Sequence, residues 1–451
     1  MKNLLILLAI LAAVTRFYAL TDRPMDHDES VHAYLSYVFM KSGYYEYDPA
    51  FHGPFIYLTT GFLFKIFGDS ELVARSLVAA FSIFAVCIIY LFRRYIGSSW
   101  ILLALIFIFS PSILYYSRYF RNDIIVLSSF LAAVYFYFRY SESGKTRFAL
   151  ISSFFLALTI TSKENGFIYL GTLVSFILLK RRFVFWKNVD FKAIFLSFAV
   201  FIFVVSFYYT TAFTNFTGLV KAFTDSIEHW LRMHEVKDHW KPMYYYSVIL
   251  AKYEFFVLGL FFASLPQALL RIKNREITVF EAFVLYWSLT ALLAYHVLSH
   301  KVPWLVVHLV APMALLSSFY AQKLFSEWKK FVLALVFVLN IAVAFYVTYV
   351  DYNNTEHDLI YIQVQPSAVE LAGRVAEYNG SVLIYEPNND YWPLPWYLRN
   401  FSVPFSSKFY DYDTVVTSER EAYKLVEKGY VIDGRYEIRP GYYMVWMEKK
   451  E

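Results

Sequence analysis

The sequence predicts a mainly α-helical, polytopic membrane protein that carries a small α/β domain at its C-terminal end. Composition is the first reason: 59% of the 451 residues are hydrophobic and only 17% are charged, whereas a soluble domain carries about 25% charged residues. The second reason is a series of apolar runs up to residue 351. The third is a change of pattern after residue 352, where short strand-like and helix-like runs alternate.

Eleven apolar runs are long enough to be membrane-spanning helices, since a helix needs about 20 residues to cross the hydrocarbon core. The predicted spans are residues 3–20, 72–92, 99–116, 124–140, 148–162, 166–180, 192–211, 244–270, 278–298, 304–321 and 330–350. Lys2 precedes the first run, as in a signal peptide, but no small-residue cleavage site precedes Arg16. We therefore interpret this run as a retained helix of one transmembrane domain, residues 1–351.

The distribution of basic residues predicts the orientation in the membrane. If the N-terminus is cytoplasmic, the short basic turns, such as 93–94, 139–147 and 271–275, all lie inside, as the positive-inside rule requires. The long loops 21–71 and 212–243 then lie outside. An odd number of helices places the C-terminal domain outside as well, and we expect a multi-pass protein of the plasma membrane.

The tail, residues 352–451, is predicted to be a separate extracytoplasmic α/β domain, because strand-like runs alternate with helical ones. The predicted strands are 381–385, 414–417 and 442–446, and the predicted helices are 367–378 and 419–428. The single cysteine, Cys87, excludes an intrachain disulfide framework and any cysteine-based metal site. The small net charge of +5 gives no indication of a nucleic-acid partner.

An aromatic segment, residues 391–399, lies within this tail. Its Trp and Tyr residues favour an interfacial anchor, because both residue types prefer the membrane surface. The alternative is a lid over a membrane-embedded site. The amphipathic pattern of loop 212–243 predicts a helix on the membrane surface.

An acidic cluster follows the first span. Asp26, Asp28, Glu29 and His32 lie within seven positions, and His52 follows in the same loop. One carboxylate, Asp26 or Asp28, is expected to cap the next helix. The surplus of acidic groups indicates a general base, a divalent-metal site formed by Asp28, Glu29, His32 and His52, or both.

Basic residues at the ends of outer helices break the positive-inside pattern and require another explanation. They are Arg118, Arg121, Lys163, His300 and Lys301, with the acidic residues Asp123 and Glu164 beside them. Snorkelling to lipid headgroups is one interpretation. The other is an anion site opposite the acidic loop, since Arg offers a forked donor to phosphate and Lys a compact charge.

These motifs, taken in order, resemble the GT-C superfamily of membrane glycosyltransferases, and more narrowly its protein O-mannosyltransferase and aminoarabinose-transferase branch. The matching residues are Asp28-Glu29, His52-Gly53-Pro54, Ser117-Arg118 with Asp123, and Lys163 with Gly166. The full set looks most like an archaeal-type subgroup annotated with lipid-linked sugar flipping. Two departures are Gly53 in place of the first proline of the usual turn and a tail unlike a β-trefoil.

The resemblance implies an inverting glycosyltransferase that takes a sugar from a polyprenyl- or dolichyl-phosphate donor in the bilayer. Asp28 and Glu29 would supply the base that deprotonates an acceptor hydroxyl on a protein, glycan or lipid. Arg118, Arg121, Lys163, His300 and Lys301 would bind the donor phosphate, supported by Asp26, His32, His52, Asp123 and Glu164. No cofactor is implied with certainty beyond the possible divalent metal ion.

Two other classes of protein remain open. A flippase or transporter of lipid-linked sugars usually carries ionisable groups near the bilayer midplane and internal repeats. Here the charged residues Arg75, Lys252, Glu254 and Glu281 lie near span ends, and no repeat is evident. A sensor that uses its tail as a ligand domain would leave the acidic loop unexplained. The pattern therefore favours an enzyme.

Overall fold

The computed structural model describes residues 2–181, 190–236, 239–324 and 327–450. A helical bundle occupies the chain up to residue 350. Its helices are α1 (Lys2–Phe17), α2 (His27–Ser42), α3 (Phe55–Phe67), α4 (Glu71–Leu91), α5 (Arg93–Ile96), α6 (Trp100–Phe109), α7 (Pro111–Tyr116), α8 (Asp123–Ser143), α9 (Thr146–Ser162), α10 (Gly166–Arg181), α11 (Phe191–Tyr209), α12 (Thr217–Val236), α13 (Tyr245–Tyr253), α14 (Phe255–Lys273), α15 (Val279–Val297), α16 (Val307–Leu324) and α17 (Glu327–Phe345).

Within the described residues, seven helical stretches are long and apolar enough to cross a membrane. They are Glu71–Leu91, Asp123–Ser143, Phe191–Tyr209, Phe255–Lys273, Val279–Val297, Pro303–Ala321 and Phe331–Val350. The other four predicted spans fall on shorter helices, namely α1, α6 with α7, α9, and α10. A multi-span membrane protein is thus confirmed, while the count of eleven spans stays a prediction.

Two predicted spans are broken helices. Pro111, which has no backbone N–H, separates α6 from α7, and the Ser110 hydroxyl caps α7 by accepting the Ile113 N–H. Glu254 lies at the junction of α13 and α14 and is fully buried. Its Oε1 accepts hydrogen bonds of 2.6 Å from the hydroxyls of Ser110 and Ser112, which ties the two breaks together.

The tail forms a five-stranded mixed sheet. Its elements are α18 (Pro366–Glu377), β1 (Val382–Tyr385), α19 (Leu394–Tyr397), β2 (Phe405–Ser406), β3 (Thr414–Ser418), α20 (Glu419–Val426), β4 (Tyr430–Arg439) and β5 (Tyr442–Lys449). The strand order is β2-β1-β3-β5-β4, with parallel pairing among the first three strands and antiparallel pairing among the last three. The small C-terminal sheet domain predicted from the sequence is therefore confirmed.

The aromatic segment 391–399 packs against other parts of the protein, and its role as an interfacial anchor stays a prediction. Trp396 is completely buried. The Tyr397 hydroxyl accepts a 2.8 Å hydrogen bond from the Met25 N–H, and Arg399 Nε lies 2.9 Å from Asp69 Oδ2. The Trp392 ring also lies 5.7 Å from that of Tyr34 on α2. These contacts fix the tail to the loop that carries the acidic cluster.

Candidate active site

A cavity of about 460 Å³ opens at the end of the bundle where α2, the turn before α8, the α9–α10 turn and the 3-10 helix Pro303–Val306 meet. Predicted site residues that line it are Asp28, His52, Arg121, Lys163, Glu164 and His300. The other lining residues include His27, Asn165, His229, His239, Tyr295, Trp304 and Tyr361. The structure thus brings together half of the residues that the sequence singled out.

A capping box sets the start of α2. The Asp26 carboxylate accepts the Glu29 N–H at 2.7 Å, and the Glu29 side chain lies 3.4 Å from the Asp26 N–H. Of the two carboxylates proposed as the cap, the structure therefore uses Asp26. This arrangement fixes the first turn of α2, where Asp28 and Glu29 follow each other.

Glu29 lies outside the cavity and is completely buried. Arg75 donates to both carboxylate oxygens at 2.9 and 2.7 Å, Arg23 adds a contact of 3.1 Å, and the Phe120 N–H donates at 2.7 Å. Burial alone favours the neutral acid, but the two guanidiniums outweigh it and lower the pKa of Glu29 to about 2. An acceptor hydroxyl in the cavity has no access to this carboxylate.

Asp28 is the carboxylate of the cluster that lines the cavity, and its side chain is 32% exposed. It forms an ion pair with Arg121. Burial opposes its ionisation, but Arg121 and the neighbouring histidines outweigh that effect, so the pKa of Asp28 lies below its ordinary value. Asp28 is therefore ionised at neutral pH, as a general base must be.

Arg121 occupies the centre of the polar wall. Besides Asp28, its guanidinium donates to His52 Nε2 at 3.1 Å. It lies 3.7 Å from the centroid of the Trp304 ring, a cation–π contact that holds the guanidinium plane. A planar fork fixed in this way suits a phosphate group.

Lys163 is the second cation of the cavity. Its Nζ lies 2.9 and 3.0 Å from the two carboxylate oxygens of Asp123, at the first turn of α8. His308 Nε2 lies 3.0 Å from the same carboxylate. Asp123 thus holds Lys163 directly, whereas Arg121 Nε lies 3.9 Å from its Oδ2.

His52 and Glu164 form a buried pair beside Arg121. Because the arginine can only donate, His52 Nε2 accepts from it, and His52 Nδ1 donates to Glu164 at 3.0 Å. Glu164 also accepts from the Tyr47 hydroxyl at 3.1 Å. Burial raises the pKa of Glu164 to about 7, and burial with the nearby cations lowers the pKa of His52 well below its ordinary value.

A steric constraint explains the glycine at position 53, where the resemblance would lead one to expect a proline. A Cβ at this position would lie 2.2 Å from the Thr161 carbonyl oxygen, which no side chain tolerates. The preceding residue, His52, adopts a positive φ of 70°. The chain therefore passes so close to α9 at this point that only glycine fits, and this close approach brings His52 to Glu164.

Three predicted site residues point elsewhere. Arg118 donates to the carbonyls of Arg16 and Ala19 at 2.8 Å and so caps the C-terminal end of α1. Lys301 donates to the Leu298 carbonyl. His32 lies below the cavity wall, with its Nδ1 2.6 Å from the Tyr57 hydroxyl. None of the three lines the cavity.

The predicted metal ligands do not converge. Glu29 is saturated by arginines, His32 is paired with Tyr57, and His52 is held between Arg121 and Glu164. Among the described residues, no group of three or more His, Cys, Asp or Glu side chains has a metal-binding arrangement. The four residues proposed as a metal site therefore do not fit one.

Helix α12 contributes to the cavity, which the sequence did not predict. Its outer face is apolar, with exposed Val220, Ile227 and Leu231, as expected for a surface helix. Its inner face places His229 in the cavity wall, and the Ser226 hydroxyl lies 2.7 Å from that of Tyr47. The sequence of an amphipathic helix does not show whether its polar residues face solvent or line a cavity.

Several donors around the cavity have no hydrogen-bond partner among the described residues. They are His27 Nδ1, Arg121 Nε and Trp304 Nε1, all buried. Buried polar atoms are nearly always paired, so an unpartnered group requires an explanation. Because these atoms are themselves buried, they are not exposed to a ligand that occupies the cavity.

The chain is similar to known proteins in part of its sequence and in its fold. Residues 51–209 match the family model described as dolichyl-phosphate-mannose-protein mannosyltransferase. ArnT from Cupriavidus metallidurans, solved bound to undecaprenyl phosphate, is 15% identical, with a TM-score of 0.71 over 99% of this chain and 98% of that chain. The archaeal oligosaccharyltransferase AglB from Archaeoglobus fulgidus, solved with an inhibitory peptide and a dolichol-phosphate, is 12% identical, with a TM-score of 0.58 over 93% and 69% of the two chains.

The fold is thus similar to the folds of ArnT and AglB. The family match over residues 51–209 confirms the resemblance to the protein mannosyltransferases that the motifs indicated. The matched family segment includes His52, Arg121 and Lys163, which line the cavity. No curated protein matches the sequence.

Proposed function

We propose that the protein transfers a sugar from a polyprenyl- or dolichyl-phosphate donor to an acceptor hydroxyl at the extracytoplasmic face of the plasma membrane. The observation that carries the proposal is one cavity in which an ionised carboxylate, Asp28, faces two cations, Arg121 and Lys163. The undecaprenyl phosphate and dolichol-phosphate bound to ArnT and AglB, which have this fold, support a lipid-phosphate donor.

The donor phosphate binds between Arg121 and Lys163. Each cation already has a carboxylate partner, Asp28 for the arginine and Asp123 for the lysine. An incoming phosphate competes with Asp28 for the guanidinium fork, because Arg binds phosphate with two parallel hydrogen bonds. Phosphate binding then weakens the Asp28 ion pair, raises the proton affinity of that carboxylate and prepares it to act as a base.

The transfer is a single displacement. The acceptor oxygen attacks the anomeric carbon, and the bond from that carbon to the phosphate oxygen breaks with its electron pair leaving on the phosphate. Asp28 takes the hydroxyl proton. Arg121 and Lys163 stabilise the charge that develops on the leaving lipid phosphate, and attack from the opposite side inverts the anomeric carbon.

We assign the base to Asp28 alone. Glu29, the other candidate, holds Arg75 and Arg23 away from the cavity and so fixes the loop. The alternative of a lipid-linked sugar flippase is not favoured, because the polar cavity lies at one end of the bundle. A carrier needs its ionisable site on a path between the two sides.

The replacement Asp28→Asn tests the proposal. It keeps the shape of the side chain but removes its basicity, so turnover should fall by about 10² to 10⁴ although the donor still binds at least as well as to the parent. The matched control is Asp26→Asn, two positions away, where Asn also caps a helix. Burial raises the pKa of Asp26 well above its ordinary value, and its side chain does not line the cavity. Equal turnover in Asp28→Asn and the parent would exclude Asp28 as the base.

A further inference from the structure

A second polar cavity lies at the other end of the bundle. It has a volume of about 590 Å³ and is lined by Leu91, Arg93, Arg94, Gly97, Ser98, Tyr135 and Arg139. We refer to the part formed by Arg93, Arg94 and Arg139 as the arginine pocket. None of these three residues contacts the candidate active site.

The arginine pocket is separated from the active site by the length of a membrane span. Arg75, near the start of α4, binds Glu29 beside the active site, whereas Arg93 lies two positions after the last residue of the same helix. At a rise of 1.5 Å per residue, these positions are about 27 Å apart along the helix. The pocket therefore lies at the opposite end of the bundle, at the far end of this candidate membrane span.

The pocket carries more positive charge than its carboxylates balance. Glu142 binds Arg94 Nε at 2.9 Å and Arg139 Nη1 at 2.7 Å. Arg93 forms no ion pair with a described carboxylate. Its guanidinium lies 3.7 Å from the centroid of the Tyr90 ring and donates to the Tyr90 carbonyl at 3.2 Å. Two of the three guanidiniums thus share one carboxylate, and the third has no described carboxylate partner.

Local contacts also hold these guanidiniums in place. Glu142 fixes two of them, and the Tyr90 ring fixes the third. The Arg139 side chain is only 19% exposed. A guanidinium that is already oriented loses less entropy when it binds an anion. Arg147, by contrast, lies on the same end of the bundle but is exposed and does not line the pocket.

We propose that the arginine pocket binds the phosphate group of an anionic lipid headgroup or of a soluble phosphate compound. Arginine forks match the oxygens of a phosphate, and basic pockets between transmembrane helices are known to hold phospholipid headgroups. The proposal is independent of the proposed glycosyl transfer. The rival explanation is a general attraction of basic turns to the membrane. That attraction depends on charge alone, so every arginine at this end of the bundle would contribute equally.

The test compares two variants that each remove one positive charge from this end. Binding of phosphatidylglycerol to the purified full-length protein is measured by native mass spectrometry, beside Arg93→Gln and the control Arg147→Gln. We expect Arg93→Gln to weaken binding by at least about tenfold, because it removes a charge-assisted hydrogen bond to the phosphate. The control should change binding by less than about twofold. Equal effects of the two variants, or none, would overturn the proposal.

A binding assay with inorganic phosphate distinguishes a lipid headgroup from a soluble phosphate compound as the ligand. If it binds and competes with the lipid in the parent, and Arg93→Gln weakens it equally, the pocket accepts a free phosphate. If only the lipid binds, the ligand is a headgroup. Both results support the pocket, whereas binding that Arg93→Gln leaves unchanged in both assays contradicts it. Should that variant fail to fold, Arg94→Gln, at a side chain that is 53% exposed, replaces it.

Discussion

Asp28 and Glu29 are neighbours in the chain, yet their carboxylates have different partners. Glu29 is held by Arg75, which is 46 positions away, whereas Asp28 reaches the cavity and Arg121. The sequence identified the acidic pair but could not tell its members apart, because the distinction depends on which distant arginine packs behind the loop. Burial and pairing, both tertiary effects, decide which carboxylate faces the cavity.

Arg118 and Arg121 show a second limit of sequence reasoning at this scale. Residues three apart share a face only when they lie on one helix. Helix α7 ends at Tyr116, and the intervening turn directs the two side chains apart. As a result, Arg118 caps α1 and Arg121 lines the cavity. The prediction that both address one phosphate is therefore wrong.

We predict different effects on donor binding for substitutions of Arg121 and of Arg118. Arg121→Ala should weaken binding of undecaprenyl phosphate by tenfold or more, because a charge-assisted hydrogen bond contributes about 1.5–3 kcal/mol. Arg118→Ala should change that affinity by less than about threefold but lower the thermal unfolding midpoint, since carbonyls at the end of α1 lose their donor. A larger loss of lipid affinity in Arg118→Ala than in Arg121→Ala would reverse the assignment.

The pKa of Glu164 predicts a pH dependence of stability. Burial raises this pKa from 4.5 to about 7, so between these values the folded protein keeps a proton that the unfolded chain releases. Stability from this group is therefore present at low pH and is lost as the pH rises through 7. Glu164→Gln, which cannot titrate, should remove that part of the decline in the thermal unfolding midpoint between about pH 5 and 7.5.

Other groups titrate in the same pH range, but they are present in both the parent and Glu164→Gln. The difference between the two pH dependences of the unfolding midpoint therefore reports on Glu164 alone. The neighbouring His52 has a lowered pKa, which acts in the opposite direction. Exposed Glu356 provides the control: Glu356→Gln should retain the slope of the parent. If Glu164→Gln and the parent show the same slope, the carboxyl is not protonated in the folded state.

At the scale of elements, periodicity and composition located helices better than they located breaks. Each predicted span coincides with a helix or a pair of helices. However, the interruptions at Pro111 and Glu254 were not predicted. A proline at the first position of a helix is compatible with a continuous apolar run. The break at Glu254 depends on serines that are more than 140 positions away, so no local pattern reveals it.

In the tail, too, the sequence located some elements and missed others. The predicted strands 381–385, 414–417 and 442–446 overlap β1, β3 and β5. Strand β4 was missed because Asp433, Gly434 and Arg435 interrupt its apolar residues, and β2 because it has only two residues. Neither strand presents the apolar pattern on which strand prediction depends.

The contact between tail and acidic loop makes a prediction about α19. Tyr397→Phe removes the hydroxyl that accepts the Met25 N–H and leaves that buried donor unpaired, at a cost of about 1–3 kcal/mol. Amide hydrogen exchange in the peptide around Met25 should therefore accelerate by about tenfold or more. Tyr410→Phe, at an exposed tyrosine, is the control and should leave the rate unchanged. Unchanged exchange in Tyr397→Phe would show that the tail does not hold the loop.

At the scale of the molecule, fold class was accessible from composition because lipid imposes long apolar helices on any chain that crosses it. The site was only partly accessible. Its walls come from segments spread from residue 27 to residue 362, and motifs supplied the acidic loop and the two cations, Arg121 and Lys163. Trp304, which holds Arg121 in place, follows Lys301 by three positions but was not assigned a role.

The central claim is sugar transfer from a lipid phosphate, and one assay tests it most directly. The purified protein is incorporated into vesicles with a labelled polyprenyl-phosphate sugar and an acceptor mixture, and the released polyprenyl phosphate is measured by mass spectrometry. The account predicts that the parent releases lipid phosphate with one sugar transferred per lipid released, and that Asp28→Asn binds the donor but releases almost none. Intact lipid-linked sugar that crosses the bilayer in both proteins, with no released phosphate in either, would contradict it.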